Sequence, residues 1–379
     1  MSNEPKKVIV SGVTGQDGSY MVDYLLANTP HLVYGMIRRT AKPDYSNLAG
    51  ALNNPRFQFV TGDLSDTTSI DNVVRQVKPD YFINLAAQSF VASSWTLAES
   101  TIDITGLGVV RVLEALRKHT PQCRLYSAGS SEEWGDVIYS PQDEKHPMRP
   151  RSPYGCAKCL AHHAVKVYRE SYGLYAVHGV LTNHESPRRG REFITKKITL
   201  GVARIAAAIK AGQPFEPLEV GNVNARRDWS HAKDFVEGMW LMLNQEKPTE
   251  FVLASGETHS VREFIEKAFT AAGIDGIWRN AWTRTHQEPS GGWRGHFSND
   301  PKDEIFRLND NDALPERDSE GTLVRINPEF FRPAEVELLW GTAERAKKEL
   351  DWQPKISFDQ LVAEMVKTDL AAVGLRPPI

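Results

Sequence analysis

Three glycines, Gly12, Gly15 and Gly18, are spaced G-x-x-G-x-x-G directly after the apolar run Val8-Ile9-Val10 and lead into a helix-like stretch from Gln16. Few folds deliver a strand to a helix through such a turn. A Cβ at these positions would block the tight turn, the approach of a pyrophosphate to the main chain, or helix-on-strand packing, and the helix N-terminus adds oriented N–H donors. The pattern predicts a dinucleotide-binding turn, with Gly12, Gly15, Gln16, Asp17 and Gly18 on the cofactor side. Taken alone, a glycine triplet also fits an ordinary loop, so the rest of the chain has to decide.

Short apolar runs recur at Leu32–Ile37, Phe57–Val60, Tyr81–Leu85, Arg124–Ala128 and Tyr175–Leu181, each separated from the next by a helix-like segment. That alternation predicts an α/β fold: a Rossmann-type, doubly wound parallel sheet covered by helices, with ligands outside the carboxyl ends of the strands. Candidate residues then fall just past the runs, at Gly12, Arg38, Asp63, Ala86, Ser130 and Asn183.

Composition excludes several classes of function. A net charge of −3 with 25% charged and 41% apolar residues gives no basic excess that would suit nucleic acid or a membrane surface. No apolar run approaches the roughly 20 residues of a membrane helix, and Met1–Lys7 is polar with no signal core behind it, so a cytoplasmic location is expected. Three cysteines make no disulfide framework. Cys156-x-x-Cys159 followed by His162 and His163 could be read as metal ligands. Structural zinc wants two such pairs, so two half-buried thiols on a packed helix is the better interpretation, and no metal is expected.

The strand ending at Ile37 is followed by Arg38 and Arg39, where an NAD enzyme would carry an acid for the ribose 2′-hydroxyl. Two guanidiniums suit a 2′-phosphate, which makes NADP the expected cofactor. Tyr154 and Lys158 stand four apart behind Pro153, so they share a helical face, and an ammonium there can lower the phenol's pKa. With the glycine turn and the strand rhythm, this Y-x-x-x-K resembles the extended branch of the short-chain dehydrogenase/reductase superfamily. In Ser127-Ala128-Gly129-Ser130-Ser131-Glu132-Glu133-Trp134-Gly135, Ser130 fits the hydroxyl-bearing catalytic position. Glu132 is the candidate base for removing a proton α to a ketone, with Glu133 as its competitor.

The resemblance narrows at Asn183-His184-Glu185-Ser186-Pro187-Arg188-Arg189-Gly190, Phe193-Ile194-Thr195-Lys196-Lys197-Ile198 and Ala225-Arg226-Arg227-Asp228-Trp229-Ser230-His231. With Leu85-Ala86-Ala87-Gln88-Ser89, His259–Phe264 and Arg332-Pro333-Ala334-Glu335, these resemble the GDP-mannose 4,6-dehydratase family over most of the chain except roughly 274–325. The resemblance implies catalysis by Ser130, Glu132, Tyr154 and Lys158. It implies a cofactor site that adds Asp63, Leu64, Ala86, Ala87, Gln88, His184 and Arg189 to the residues above. Asn183, Lys197 and Arg227 would hold the nucleotide of a GDP-sugar, Arg332 and Glu335 would close over its pyrophosphate and ribose, and Ser89 would touch the hexose. It further implies a homotetramer, a dimer of dimers, in which Arg38, Arg39, Arg188 and Arg189 bridge subunits around the adenosine phosphates.

The expected domains interleave: 1–182 with 230–254 for the cofactor, and 183–229 with 255–379 for the sugar nucleotide. Capping boxes at Ser260-x-x-Glu263 and Ser357-x-x-Gln360 should start two late helices. The chain departs from the family pattern at Ser130, where threonine is usual, at Trp134, where tyrosine is usual, and in the polar segment 274–325, expected to be a lid or an assembly surface. Two alternatives stay open at this point: a related substrate such as GDP-manno-heptose, and a non-catalytic NADP-binding regulatory protein.

Overall fold

Seven strands assemble into one sheet: β1 (Lys7–Ser11), β2 (Leu32–Ile37), β3 (Phe57–Thr61), β4 (Tyr81–Asn84), β5 (Arg124–Ala128), β6 (Ala176–Leu181) and β7 (Phe251–Leu253). The computed structural model describes residues 4–280, 282–287, 293–297, 304–308 and 321–377. Strand order is β7-β6-β5-β4-β1-β2-β3 and every pairing is parallel. Side chains alternate across the sheet, so Val8 and Val10 enter one buried cluster while Ile9 enters the other. The first cluster seats α1 (Gln16–Asn28) through Tyr20, Met21 and Leu25, and the second seats α2 (Thr67–Val77) and α3 (Gly108–His119) through Ile70, Val74, Val112 and Leu116. Burial on both faces explains why β4, β6 and β7 are buried at every position.

The chain reverses its winding between β1 and β4, which are neighbours although two strands intervene in sequence. At such a switch point the two loops leave in opposite directions and open a crevice beyond the carboxyl ends of the strands. Next along the chain that matters to the site is α4 (Pro153–Tyr172). Ser152 caps it by accepting the Gly155 N–H at 3.0 Å, Pro153 preorganises its first turn, and Gly173, at φ +69°, ends it.

The described chain divides into two compact units, one of residues 1–190, 227–258 and 338–358, the other of 191–226, 259–337 and 359–379. Four stretches assigned above to the second domain fall in the first unit: 183–190, 227–229, 255–258 and 338–358. Asn183–Glu185 pairs in parallel with Trp229–His231. In 338–358, Leu350 and Trp352 join the β1 core, and the Trp352 indole donates to the Asp234 carbonyl at 2.8 Å, at the start of α5 (Ala232–Leu243).

In the second unit the helix Ile194–Lys210 is tied to the closing helix Phe358–Ala372 by a buried ion pair, Lys196 Nζ to Asp369 Oδ1 at 2.6 Å, with Thr199 Oγ1 donating to Asp369 Oδ2 at 2.7 Å. The expected capping box at Ser260 and Glu263 is present and starts the helix Val261–Ala271. Segment 274–325, expected as a lid or assembly surface, contributes strands Gly276–Asn280, Glu304–Leu308 and Thr322–Ile326 to a four-stranded sheet completed by Leu218–Val220. Much of the remainder of that segment lies outside the described residues. Among the described residues no helix is long and apolar enough to cross a membrane.

Candidate active site

The glycine turn is built as tightly as its spacing implies. Gly12 sits at φ +65°, and a Cβ on it would lie 2.8 Å from the Ala86 nitrogen, so the β1 and β4 loops touch through the missing side chain. A Cβ on Gly18 would lie 2.3 Å from the Gly12 carbonyl oxygen. Gly15 caps α1 without any side-chain hydrogen bond, which leaves the first-turn N–H groups to water or a ligand. Ser11 Oγ braces the crevice: it donates to Asn84 Oδ1 at 2.7 Å and accepts the N–H groups of Leu85 and Ala86, both at 3.1 Å.

Beyond β5 the chain turns through Ser131–Glu133, a single 3₁₀ turn capped by Ser130. Ser130 Oγ accepts the Glu132 N–H at 3.2 Å, and Glu133 Oε1 accepts the Ser130 N–H at 2.8 Å, a capping box that orients Ser130 toward α4. Glu133 is fully buried and is also bonded to His178 Nε2 at 3.0 Å and His162 Nδ1 at 2.8 Å. Burial alone would raise its pKa, yet the two histidines more than offset that and hold it far below the usual carboxylate range.

Tyr154 and Lys158 are both buried, on one face of α4. Burial pushes the Tyr154 phenol well up, opposed by a hydrogen bond with Ser130, while the Glu132 charge pushes it further up. The sequence spacing implied an ammonium acting directly on the phenol. Instead Lys158 Nζ donates to the Ala128 carbonyl at 2.5 Å and lies 5.6 Å from the Tyr154 ring centre, and relief of the phenol comes from Ser130 and Arg189. The Ala128 carbonyl, at the end of β5, is the nearer partner for the buried amine. Burial also lowers the Lys158 pKa to about 8, against the pull of Glu133 and Asp17.

Asp17 and His184 meet each other, Oδ2 to Nε2 at 3.0 Å. Burial would raise the Asp17 pKa, but His184, Arg189 and Gln16 outweigh it and bring it to about 2, while the same pairing raises His184 against its own burial. Gln16 joins them, donating to Asp17 Oδ1 and to the His184 carbonyl, both at 2.9 Å, and accepting from Ser186 Oγ at 2.8 Å. Arg188 pairs with Asp23 at 2.8 Å and covers the Tyr20 ring, and Arg189 pairs with Glu185 at 3.0 Å. These two arginines are committed within their own unit.

Arg38 and Arg39 are exposed beyond β2 and make no ion pair among the described residues. Asp63 holds its own loop, accepting from the Ser65 N–H and hydroxyl at 2.9 and 2.8 Å, and the carbonyl of buried Leu64 accepts from Arg111 at 2.8 Å. Ala86 and Ala87 follow β4; the Gln88 N–H donates to Thr105 Oγ1 at 3.1 Å, its amide to Ser93, and Ser89 is exposed. Cys156 is exposed, not half-buried as expected, because its side of α4 faces solvent; Cys159 is partly buried, and all three cysteines are free.

The substrate candidates divide between the units. Asn183 and Arg227 belong to the first; Lys197, Arg332 and Glu335 belong to the second. The second unit holds a cleft of about 670 Å³ lined by Lys197 with Arg191, Arg204, Glu219, Arg325 and Phe330, among others. Lys197 Nζ lies 3.8 Å above the Phe330 ring, and burial lowers its pKa while Glu219 opposes. Arg332 and Glu335 do not line this cleft. Arg325 and Phe330, a basic and an aromatic residue just ahead of the Arg332 motif, line the cleft although neither is among the residues expected from the sequence.

A glycine turn at a sheet switch point, followed by serine, tyrosine and lysine converging beyond β5, defines a Rossmann-type protein of the short-chain dehydrogenase/reductase kind. The dTDP-glucose 4,6-dehydratase of Streptomyces venezuelae, solved with NAD bound, shares the fold at a TM-score of 0.74 and 20% identity over 97% of this chain and 98% of that one. The family model for GDP-mannose 4,6 dehydratase matches residues 9–365. The GDP-mannose 4,6 dehydratase of Drosophila melanogaster is 40% identical over 98% of this chain and 88% of its own length, and that of Vibrio cholerae is 41% identical over 96% and 94%. The chain belongs to the GDP-mannose 4,6-dehydratase family.

Proposed function

We propose that this chain carries out its family's reaction, the 4,6-dehydration of GDP-mannose to GDP-4-keto-6-deoxymannose, with Ser130, Glu132, Tyr154 and Lys158 as its catalytic residues and NADP as its cofactor. The observation that carries the reading is the convergence of Ser130 on Tyr154 beside a second, separate carboxylate, Glu132. A simple dehydrogenase needs only a proton acceptor for the alcohol; a dehydratase needs a further base for the carbon acid created next to the ketone.

The residues of the turn fit a dinucleotide: at Gly12 and Gly18 the main chain packs against itself where any side chain would clash, which keeps the turn tight, and the α1 N-terminus carries no side-chain cap. When bound, the nicotinamide supplies the acceptor and later the donor of the hydride. Tyr154, hydrogen-bonded by Ser130, takes the proton of the C4 hydroxyl, and burial keeps water from competing for it. Lys158, anchored on the Ala128 carbonyl one helical turn from Tyr154, keeps a positive charge in the site without touching the phenol. The 4-ketone acidifies C5; Glu132 removes that proton and delivers one to the C6 hydroxyl, which leaves as water, and the resulting 5,6-alkene takes the hydride at C6 and a proton at C5. Arg38 and Arg39 offer two free guanidiniums to a 2′-phosphate.

Asn183, Lys197 and Arg227 hold the nucleotide of the GDP-sugar, Arg332 and Glu335 close over its pyrophosphate and ribose, and Ser89 meets the hexose. A cytoplasmic homotetramer belongs to this reading. Incubation with NADP and a panel of GDP- and UDP-sugars, read by mass spectrometry, tests it: GDP-mannose should lose one water to give the 4-keto-6-deoxy product. Faster turnover of a GDP-heptose, or no turnover of any sugar, would overturn the assignment.

A further inference from the structure

Buried Glu133 and His178 and the partly buried His162 form a cluster that the reaction as described does not use. They come from three elements that bear on the chemistry: the Ser130 turn, helix α4 and strand β6. Glu133 Oε1 accepts the Ser130 N–H at 2.8 Å and stands 3.0 Å from His178 Nε2; Glu133 Oε2 stands 2.8 Å from His162 Nδ1. His162 lies four residues after Lys158, on the same face of α4. The fit is close: a Cβ on Gly129 would meet His178 Nε2 at 2.3 Å and Glu133 Oε1 at 2.7 Å.

The three ligand-type atoms lie within 4.8 Å of one another, so a metal ion is the first alternative to weigh. The hydrogen bonding argues against it. His178 is wholly buried, and its Nδ1 has no partner among the described residues, which suits a neutral ring carrying its single proton on Nε2, aimed at Glu133. A metal on Nε2 would move that proton to Nδ1, where a buried N–H would have nothing to accept it, whereas histidine ligands ordinarily donate their second N–H.

We propose that Glu133 is a positioning residue of the dehydration, clamping the Ser130 main chain to the Lys158 face of α4 through His162 and to β6 through His178. The proposal rests on the assignment of Ser130, Tyr154 and Lys158 made above. Ser130 can steady the phenol only while its turn keeps its distance from α4, and Glu133 is the one side chain in this cluster bonded to both. Its charge has a second effect. Lys158 is faced by Glu133 from the turn, Asp17 from α1, His178 from β6 and Tyr154 on its own helix, and of these the two carboxylates favour its protonated form.

The test compares Glu133→Gln, His178→Leu and His178→Gln with the intact enzyme in kcat, KM, NADP affinity, pH profile and melting temperature. Glu133→Gln should lose kcat by about 10²-fold, the scale of an ångström of misplacement. KM and NADP affinity should change by less than about threefold, and the activity optimum should move to lower pH, because a charge that retains the Lys158 proton is gone. His178→Gln, whose amide reaches the same carboxylate oxygen, should recover most of what His178→Leu loses, and this pair carries the test if Glu133→Gln does not fold.

A lower melting temperature with unchanged kcat and pH profile would make the cluster purely structural and overturn the proposal. So would stoichiometric zinc in the purified enzyme that disappears in His178→Leu. Tyr154→Phe runs alongside: full activity in that variant would overturn the underlying catalytic assignment, and the positioning role with it.

Discussion

Replacing Glu132 by glutamine separates the two halves of the reaction. The substitution keeps volume and shape, and the Ser130 Oγ contact is made to the Glu132 main-chain N–H at 3.2 Å, so the turn survives the change. Its effect on oxidation has a definite sign: the Glu132 charge raises the Tyr154 pKa, so a neutral side chain leaves more of Tyr154 as the phenolate that accepts the proton, and oxidation is not slowed by a shortage of that form. Its effect on elimination is the loss of a positioned base, about 10²–10⁴ in rate. That corresponds to about 3–5 kcal/mol in the barrier. Rapid mixing with GDP-mannose should therefore produce reduced cofactor at a rate within about threefold of the intact enzyme, while the deoxy product forms 10²–10⁴ times more slowly. The trapped species should carry a 4-ketone and an intact C6 hydroxyl by mass spectrometry. Deoxy product at near the intact rate would refute the reasoning, and equal loss of both steps would mean that Glu132 serves oxidation too.

Gly18→Ala sets about 1 kcal/mol of helix propensity against a Cβ placed 2.3 Å from the Gly12 carbonyl oxygen and 2.6 Å from Val13 Cα. Main-chain atoms cannot yield cheaply, so the clash, about 1–3 kcal/mol, should win. Denaturant midpoint should fall and NADP should bind about tenfold more weakly; a more stable variant would show the turn to be loose. Replacing both Arg38 and Arg39 by alanine should weaken NADP by about 10- to 100-fold while leaving NAD within about threefold, by fluorescence titration. Asp17→Asn should cost most stability at intermediate pH. The depressed Asp17 pKa stabilises above its ordinary 3.8 and is lost as pH falls toward 2, whereas the raised His184 pKa stabilises below 6.5 and is lost as pH rises through its shifted value. Melting curves of both proteins should therefore converge at the acid and alkaline ends, and a constant difference from pH 3 to 9 would exclude the ion pair as its source.

The sequence made the first six strands legible because each is a short apolar run bounded by helical patterns. β7 escaped, since Phe251-Val252-Leu253 is only three residues long and buried on both faces, with no alternation to mark it. The return of 338–358 to the first unit could not be read locally either. It depends on Trp352 reaching the Asp234 carbonyl, 118 residues away. In the site, helical spacing correctly put Tyr154 and Lys158 on one face, but spacing says nothing about which buried acceptor an amine will choose, and the Ala128 carbonyl took it. Gln16, Asp17 and His184, expected from the sequence as separate cofactor contacts, form one hydrogen-bonded group in the structure.

The adjacent glutamates carry the sharpest lesson. From the sequence alone either could have been the base, although Ser130-x-x-Glu133 already had the form of a capping box. The fold separates them by a single step along a 3₁₀ turn, which carries neighbouring side chains to different sides. Glu133 goes inward, where Ser130, His162 and His178 supply donors to both its oxygens and hold it ionised far below ordinary pH. A carboxylate so stabilised is a poor proton acceptor, because every donor that lowers its pKa also lowers its basicity. Glu132, whose charge bears on the Tyr154 phenol, keeps the side of the turn that faces the proposed site of oxidation. On the reading proposed above the two glutamates divide the work: Glu133 fixes the frame, and Glu132 meets the carbon acid.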